Sequence, residues 1–347
     1  MKNSMSINFL LPHLRISGGV KIALTYANLL KKRGHKVRIY VQSNNPIRRT
    51  VANIFHLGYP HWIEHFQTQV VRVPSLEARY LADADVTVVT TSQTALLADN
   101  FPPSKGRQFY LLQHDEGLYH VDRDIANRAY ETKAKKVVVS TWLKEILKKE
   151  HGQEAMLLLN PIDLKQFYKV SKKIKSETVR VMLLHHVYEW KGTAEGVEVI
   201  QKLKRKYPHV RLVLFGVRQK SDILFPYDEY HFNVPQHKLA ELYSSADIYL
   251  CPSWDEGFGL PSIEAMACGL ALVTYDNGGS RDYAFHNKTA LVAERRNTDD
   301  LYHQLECVVT DHELRHRIAE EGKVFVESME GWNQRVKEFE EIISSTV

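Results

Sequence analysis

The stretch PSWDEGFGLPSIEAMACG, residues 252–269, decides how the rest of the chain is read. It follows ADIYLC (246–251), a short apolar run of the kind that forms a buried strand. Gly257 and Gly259 allow a tight turn in which backbone comes close to a ligand. Pro261 suits the first positions of a helix. The spacing therefore predicts a strand, a glycine loop and a helix start, which together offer backbone N–H groups and a favourable dipole to an anion. A diphosphate fits that description. Glu264 is placed in the first turn of the helix and Glu256 in the loop before it. A carboxylate accepts two hydrogen bonds from a vicinal diol such as a ribose, and a second can hold sugar hydroxyls.

Working outward, short apolar runs alternate with amphipathic helices. INFLL (7–11), KVRIYV (36–41), DVTVV (85–89), QFYLL (108–112) and KVVVS (136–140) read as buried strands. A helix is expected from Val20 to Lys32, stopped by Gly34. The polar stretch SKKIKSE (171–177) reads as a linker. The pattern then restarts with VRVMLL (179–184), a helix near 193–206, VRLVLF (210–215), ADIYLC and LALVTY (270–275). Such alternation means parallel sheets with helices on both faces, and two series mean two Rossmann-like α/β domains facing a cleft. At 347 residues the chain is long enough for two cores.

Composition is that of an ordinary globular protein, with 44% hydrophobic and 25% charged residues. Cys251, Cys268 and Cys307 make no disulfide framework, so a reducing, cytoplasmic setting is expected. No apolar run has the length of a membrane span, and MKNSMSINFLLPHLRI is not expected to act as a signal peptide, because its apolar run is short and Pro12 and His13 interrupt it. The net charge of +5 hides an asymmetry. Residues 1–175 hold 27 Lys/Arg against 14 Asp/Glu, a net +13, and the remainder 19 against 27, a net −8. A basic half suits an anionic partner, and it also suits lysines solvated on helix faces.

Two strings imitate zinc motifs. HELRH (312–316) sets two histidines four apart, and HWIEH (61–65) has the reversed form. For HELRH a helix cap explains the glutamate without a metal, with Thr310 and Glu313 as a capping box. No third ligand is recognisable by spacing, so no metal site is expected. There is no G-x-G-x-x-G, since Gly257-x-Gly259-x-x-Ser262 ends in serine, and no P-loop lysine string.

On these residues the chain resembles a GT-B glycosyltransferase of family 4, a class of retaining, metal-independent enzymes that use nucleotide-diphosphate sugars. EGFGLPSIEAMACG is similar to the family's E-x7-E signature. PHLRISGGVKIALTYANLLKKRGHKV (12–37) resembles its first Gly-Gly loop and helix. NPID (160–163) resembles N-G-I-D with Pro161 in place of glycine, WKG (190–192) its lysine-glycine step, and DNGGSRDYAFHNKTALV (276–292) its G-G-x-x-E stretch with Asp282 in place of glutamate. The resemblance implies a first, acceptor-side domain over 1–172, a donor-side domain over 173–330, and a C-terminal helix (331–347) packing back toward the first domain. It implies that Glu264 holds the ribose and Glu256 the donor sugar. The backbone of Gly257, Phe258, Gly259 and Leu260 would meet sugar and phosphate. Lys191 would neutralise the leaving group, and Gly18 and Gly19 would face the diphosphate. His114 would lie near the reacting sugar. His186 stands where the family has an arginine, so one hydrogen-bond donor replaces a planar pair. The implied catalytic set is Glu256, His114 and Lys191, with no metal and no cofactor besides a nucleotide-diphosphate sugar, UDP being the expected nucleotide. The acceptor would be a saccharide or lipid-linked saccharide in cell-envelope or polysaccharide synthesis, with a peripheral contact to the inner membrane face open to the basic first domain and no nucleic acid partner. The alternatives are a non-catalytic nucleotide-sugar-binding protein of the same fold and an anion-surface adaptor.

Overall fold

The computed structural model describes residues 4–60, 62–63, 65–171 and 178–345. His61 and Glu64 of HWIEH, and 172–177 of the expected linker, lie outside the described residues. The chain divides into one unit of residues 1–160 with 333–347 and a second of residues 161–332.

The first unit carries strands β1 (Ser6–Leu11), β2 (Lys36–Gln42), β3 (Gln69–Val73), β4 (Val86–Val89), β5 (Arg107–Leu112), β6 (Lys135–Val138) and β7 (Ala155–Leu157). They form one parallel sheet in the order β3-β2-β1-β4-β5-β6-β7. Central strands are buried on both faces, as parallel strands between helices must be: Ile7, Phe9, Leu10 and Val86, Val88, Val89 are fully enclosed. Its helices are α1 (Gly18–Lys32), α2 (Pro46–Ile54), α3 (Ser92–Ala98), α4 (Glu116–Tyr119), α5 (Arg123–Tyr130) and α6 (Thr141–His151). Helix α1 starts two residues before Val20, because Ser17 is its N-cap and accepts from the Val20 N–H.

The second unit carries β8 (Val179–Leu184), β9 (Val210–Gly216), β10 (Glu229–Phe232), β11 (Ile248–Cys251), β12 (Ala271–Tyr275) and β13 (Leu291–Ala293), again all parallel, in the order β10-β9-β8-β11-β12-β13. Helices α7 (Thr193–Lys206), α8 (Leu239–Ser244), α9 (Leu260–Ala267), α10 (Thr298–Thr310) and α11 (His312–Glu327) cover it. The strand order reverses direction between β8 and β11, the switch point outside whose carboxyl ends open sheets bind ligands.

The expected boundary at 172/173 falls later than the division at 160/161. Residues after Pro161 group with the second unit because their side chains pack there: Phe167 is buried with its ring 6.2 Å from Tyr243, and Gln166 Nε2 donates to the Gln236 carbonyl. The last helix, α12 (Trp332–Ser344), packs in the first unit. Phe339 sits 4.8 Å from the Tyr26 ring, and buried Glu340 takes hydrogen bonds from Arg33 and His35. No helix among the described residues is long and apolar enough to cross a membrane.

The cap of α11 differs from the expectation. Asp311, not Thr310, is the N-cap, its carboxylate accepting from the Leu314 N–H at 2.9 Å. Thr310 is the last residue of α10 and donates back to the Glu306 carbonyl. The aspartate wins because its charge also complements the helix dipole.

Candidate functional site

Two loops meet at the switch point of the second unit. The loop after β8 begins with His185 and His186, whose backbone is tied to Thr193 at the start of α7: the His186 N–H donates to Thr193 Oγ1 at 3.0 Å. One helical turn over Glu189–Lys191 then ends at Gly192, which has φ of +65°. A Cβ at Gly192 would run into the Pro252 carbonyl, so the position requires glycine for both its backbone and its neighbour. The Trp254 N–H donates to the Trp190 carbonyl at 2.8 Å and joins this turn to the loop after β11.

That second loop delivers Glu256. Its backbone pairs with the 277–279 turn: Glu256 N–H donates to the Asn277 carbonyl and Gly279 N–H to the Glu256 carbonyl. A Cβ at Gly279 would strike this same backbone, so the Gly-Gly of DNGGS is read as close approach between two loops. Gly259, with φ +91° and ψ 54°, caps α9 without a side-chain hydrogen bond. Tyr283 Oη donates to the Phe258 carbonyl at 2.8 Å and holds the turn from below. The N-cap of α9 therefore supplies no side-chain hydrogen bond to the first N–H groups of the helix.

The structure brings Lys191 and Glu256 together: Nζ is 2.7 Å from Oε1, and both side chains are largely enclosed. His186 lies beside them. Burial first, and the Lys191 cation second, pull its pKa down to about 4 against the opposing pull of Glu256. The ring is therefore neutral near pH 7. Its Nδ1 accepts from the Tyr188 N–H at 3.1 Å, which puts the proton on Nε2. Glu264 lies in the second turn of α9 and not the first, since the helix starts at Leu260. Its carboxylate is mostly buried and accepts from Tyr243 Oη at 3.2 Å.

Sequence reasoning missed the groups that fix the Glu256 loop. Glu195, in the first turn of α7, accepts from Trp254 Nε1 at 2.9 Å and from Tyr275 Oη at 3.0 Å. Arg295 donates twice to buried Asp255, at 2.6 and 2.7 Å. The Arg296 guanidinium lies 3.8 Å over the Trp254 ring. The only signal for these was the position of Trp254 and Asp255 immediately before Glu256.

In the first unit, Gly18 and Gly19 open α1 at the carboxyl end of β1, and Gln113 Nε2 donates to the Gly19 carbonyl at 2.9 Å. His114 follows β5. Its Nδ1 is 3.0 Å from the Asp115 carbonyl and so carries the proton, leaving Nε2 as an acceptor with no partner among the described residues. Beneath it lies a buried network. Tyr130 Oη donates to Asp115, Arg123 pairs with Asp115 at 2.8 Å, and Tyr110 Oη donates to Glu116 at 2.7 Å. Burial pushes the Glu116 carboxyl up.

His312 and His316 stack with ring centroids 6.4 Å apart on α11. Among the described residues no group of three His, Cys, Asp or Glu side chains is placed to hold a metal ion.

Comparison with known proteins bears on this geometry. The family model described as glycosyl transferases group 1 matches residues 165–325. An uncharacterised glycosyltransferase of Haemophilus influenzae is 24% identical over 346 residues, covering 92% of this chain and 95% of that protein. The N,N'-diacetylbacillosaminyl-diphospho-undecaprenol alpha-1,3-N-acetylgalactosaminyltransferase of Campylobacter jejuni is 28% identical over 144 residues, 40% of this chain and 38% of its own length. The crystal structure of Anabaena HepE in complex with UDP-glucose superposes with a TM-score of 0.77 at 15% identity, covering 99% of this chain and all of that one, which shows a common fold.

Proposed function

We propose that the chain, which has the GT-B fold and matches the glycosyl transferases group 1 model over residues 165–325, moves a sugar from a nucleotide-diphosphate donor to a hydroxyl acceptor with retention at the anomeric carbon. The observation that carries this reading is the 2.7 Å Lys191–Glu256 pair at the switch point, beside a helix N-terminus that no side chain caps.

In this reading the backbone of Gly257, Phe258, Gly259 and Leu260 receives the diphosphate and sugar, and Glu264 takes the ribose hydroxyls. Glu256 exchanges its contact with Lys191 for sugar hydroxyls. The ammonium, on a flexible stem, turns to the diphosphate oxygens. As the anomeric C–O bond to the phosphate breaks, positive charge grows on the ring and negative charge on the phosphate. Lys191 and the α9 dipole oppose that charge where it develops. Neutral His186 adds one hydrogen bond from Nε2. Gly18 and Gly19 are assigned to the diphosphate and His114 to the reacting sugar. The acceptor oxygen bonds to the anomeric carbon on the face the phosphate leaves, and its proton passes to a phosphate oxygen. No carboxylate is assigned as a covalent nucleophile.

UDP is the proposed nucleotide, a reading supported by the UDP-glucose bound to the Anabaena neighbour. A saccharide or lipid-linked saccharide of the cell envelope is the proposed acceptor class. The Campylobacter relative, whose name specifies an undecaprenol-linked diphosphosugar, supports it. Release of nucleotide diphosphate from a panel of purified UDP-, GDP- and dTDP-sugars tests the function. A mere binder would gain thermal stability from the nucleotide and release none.

A further inference from the structure

The peptide group between Asp115 and Glu116 is held at both ends. Its N–H donates to Tyr130 Oη at 2.9 Å, and its carbonyl oxygen lies 3.0 Å from His114 Nδ1. The same oxygen receives the Leu118 N–H at 3.2 Å, which its second lone pair accommodates. The peptide is trans, so its N–H and C=O point in opposite directions. Whatever fixes the N–H therefore aims the oxygen at the imidazole.

Tyr130 is suited to be that fixed point. It is fully buried at the end of α5, and a second contact places its hydroxyl, which donates to Asp115 Oδ1 at 2.9 Å. Asp115 is anchored in turn by the Gly117 N–H at 3.2 Å and by Arg123 Nη1 at 2.8 Å. Burial first, and the Asp115 charge second, raise the Tyr130 phenol, so it keeps the proton that it donates. The consequence falls on His114. A carbonyl only accepts, so Nδ1 carries the ring proton and Nε2 offers a lone pair. Nε2 is enclosed and has no partner among the described residues. A buried acceptor is costly to leave unpaired, and a hydroxyl reaching it would supply the missing donor.

We propose that Tyr130, with Asp115 behind it, is a positioning residue that locks His114 in the Nδ1–H tautomer, so that Nε2 accepts a hydrogen bond from a sugar hydroxyl and does not donate one. That the hydroxyl belongs to the reacting sugar rests on the function proposed above, whereas the lock stands on the geometry of the first unit alone. Tyr110 separates this role from simple packing. Its ring is equally enclosed, and its hydroxyl reaches the Glu116 carboxylate at 2.7 Å and Ser92 Oγ at 3.2 Å, but it bonds to neither end of the 115–116 peptide.

Long-range ¹H–¹⁵N spectra of histidine-labelled protein at about pH 8, above the ordinary histidine range, report the tautomer without any substrate. The signals of His114 are assigned by their loss in His114→Gln. The wild type and Tyr110→Phe are expected to show Nδ1 protonated and Nε2 bare. Tyr130→Phe is expected to show both tautomers, and to release nucleotide diphosphate with kcat/KM lower by about 3–10-fold, against less than about twofold for Tyr110→Phe. Asp115→Asn keeps the shape and the cap of α4 but loses the charge that anchors Tyr130 Oη, and is expected to admit the second tautomer to a smaller extent; it decides should Tyr130→Phe not fold. A wild-type His114 with its proton on Nε2 overturns the proposal. So do variants at 130 and 115 that keep the single tautomer, or a Tyr110→Phe protein that mixes tautomers as much as Tyr130→Phe. Absence of turnover with the expected tautomer pattern counts against the proposed function and leaves the lock in place.

Discussion

Replacing Glu264 by glutamine tests the donor site with little disturbance of the fold. The carboxylate sits mostly buried in the second turn of α9 and already accepts from Tyr243 Oη at 3.2 Å. An amide has the same shape but one acceptor oxygen, and its nitrogen can only donate. If the oxygen stays with Tyr243, the NH₂ group faces the ribose hydroxyls. Hydrogen bonds to a charged group contribute about 1.5–3 kcal/mol, which corresponds to roughly 10–150-fold in affinity. Glu264→Gln should therefore weaken UDP by about that factor in titration calorimetry, while its melting temperature stays close to the wild type. Glu264→Ala should lose affinity as well, and lose stability by about 1–3 kcal/mol, because it leaves the hydroxyl of fully buried Tyr243 without this acceptor. Wild-type affinity for UDP in Glu264→Gln would refute the assignment of this residue to the ribose.

Three further outcomes are expected. Arg295→Ala should destabilise the second unit by about 2–4 kcal/mol, since it strips the ion-pair partner from an Asp255 side chain that is 5% exposed. Asp255→Asn in that background should recover most of the loss in thermal melts; no recovery would mean that Arg295 acts by packing alone. Gly259→Ala should cost about 1–3 kcal/mol, because a residue at φ +91° is strained and its Cβ would press on Tyr283 Oη. A melt and a turnover rate matching the wild type would count against the tight-turn reading. His186 has its pKa lowered from 6.5 to about 4, so the unfolded chain takes up its proton first. Its contribution to stability is whole above pH 6.5 and is lost as pH falls toward 4. His186→Gln should therefore show a smaller fall in melting temperature than the wild type across that window, and identical profiles would place the ring in water.

The strands that could be read from the sequence, and those that could not, divide by position in the sheet. All nine strands expected from apolar runs are present, and each is flanked on both sides. The four that were not expected, β3, β7, β10 and β13, are the four sheet edges. An edge strand pairs on one side only and need not be apolar. Glu229–Phe232 carries a glutamate and a histidine, and the Arg180–Glu229 pair that helps hold it forms across 49 residues. The same divide applies at the site. The left-handed turn at Gly259 and the start of α9 beside it could be read because loop geometry and helix start are local. Glu195, Tyr243 and Arg295 could not, because their partners lie 59, 21 and 40 residues away and only the folded sheet brings them together. Thr310 illustrates the opposite error: a local motif was complete, but the adjacent Asp311 took the cap.

The central claim is that Lys191 and the α9 N-terminus stabilise a departing nucleotide diphosphate. Its most direct test is the release of that diphosphate from a nucleotide-sugar panel, measured in excess EDTA for the wild type and for Lys191→Met. Release by the wild type that chelator leaves unchanged, with a fall of about 10²–10³ in the variant, is the predicted result. Release that stops with EDTA and returns with Mg²⁺, or a Lys191→Met protein that turns over donor like the wild type, would contradict it.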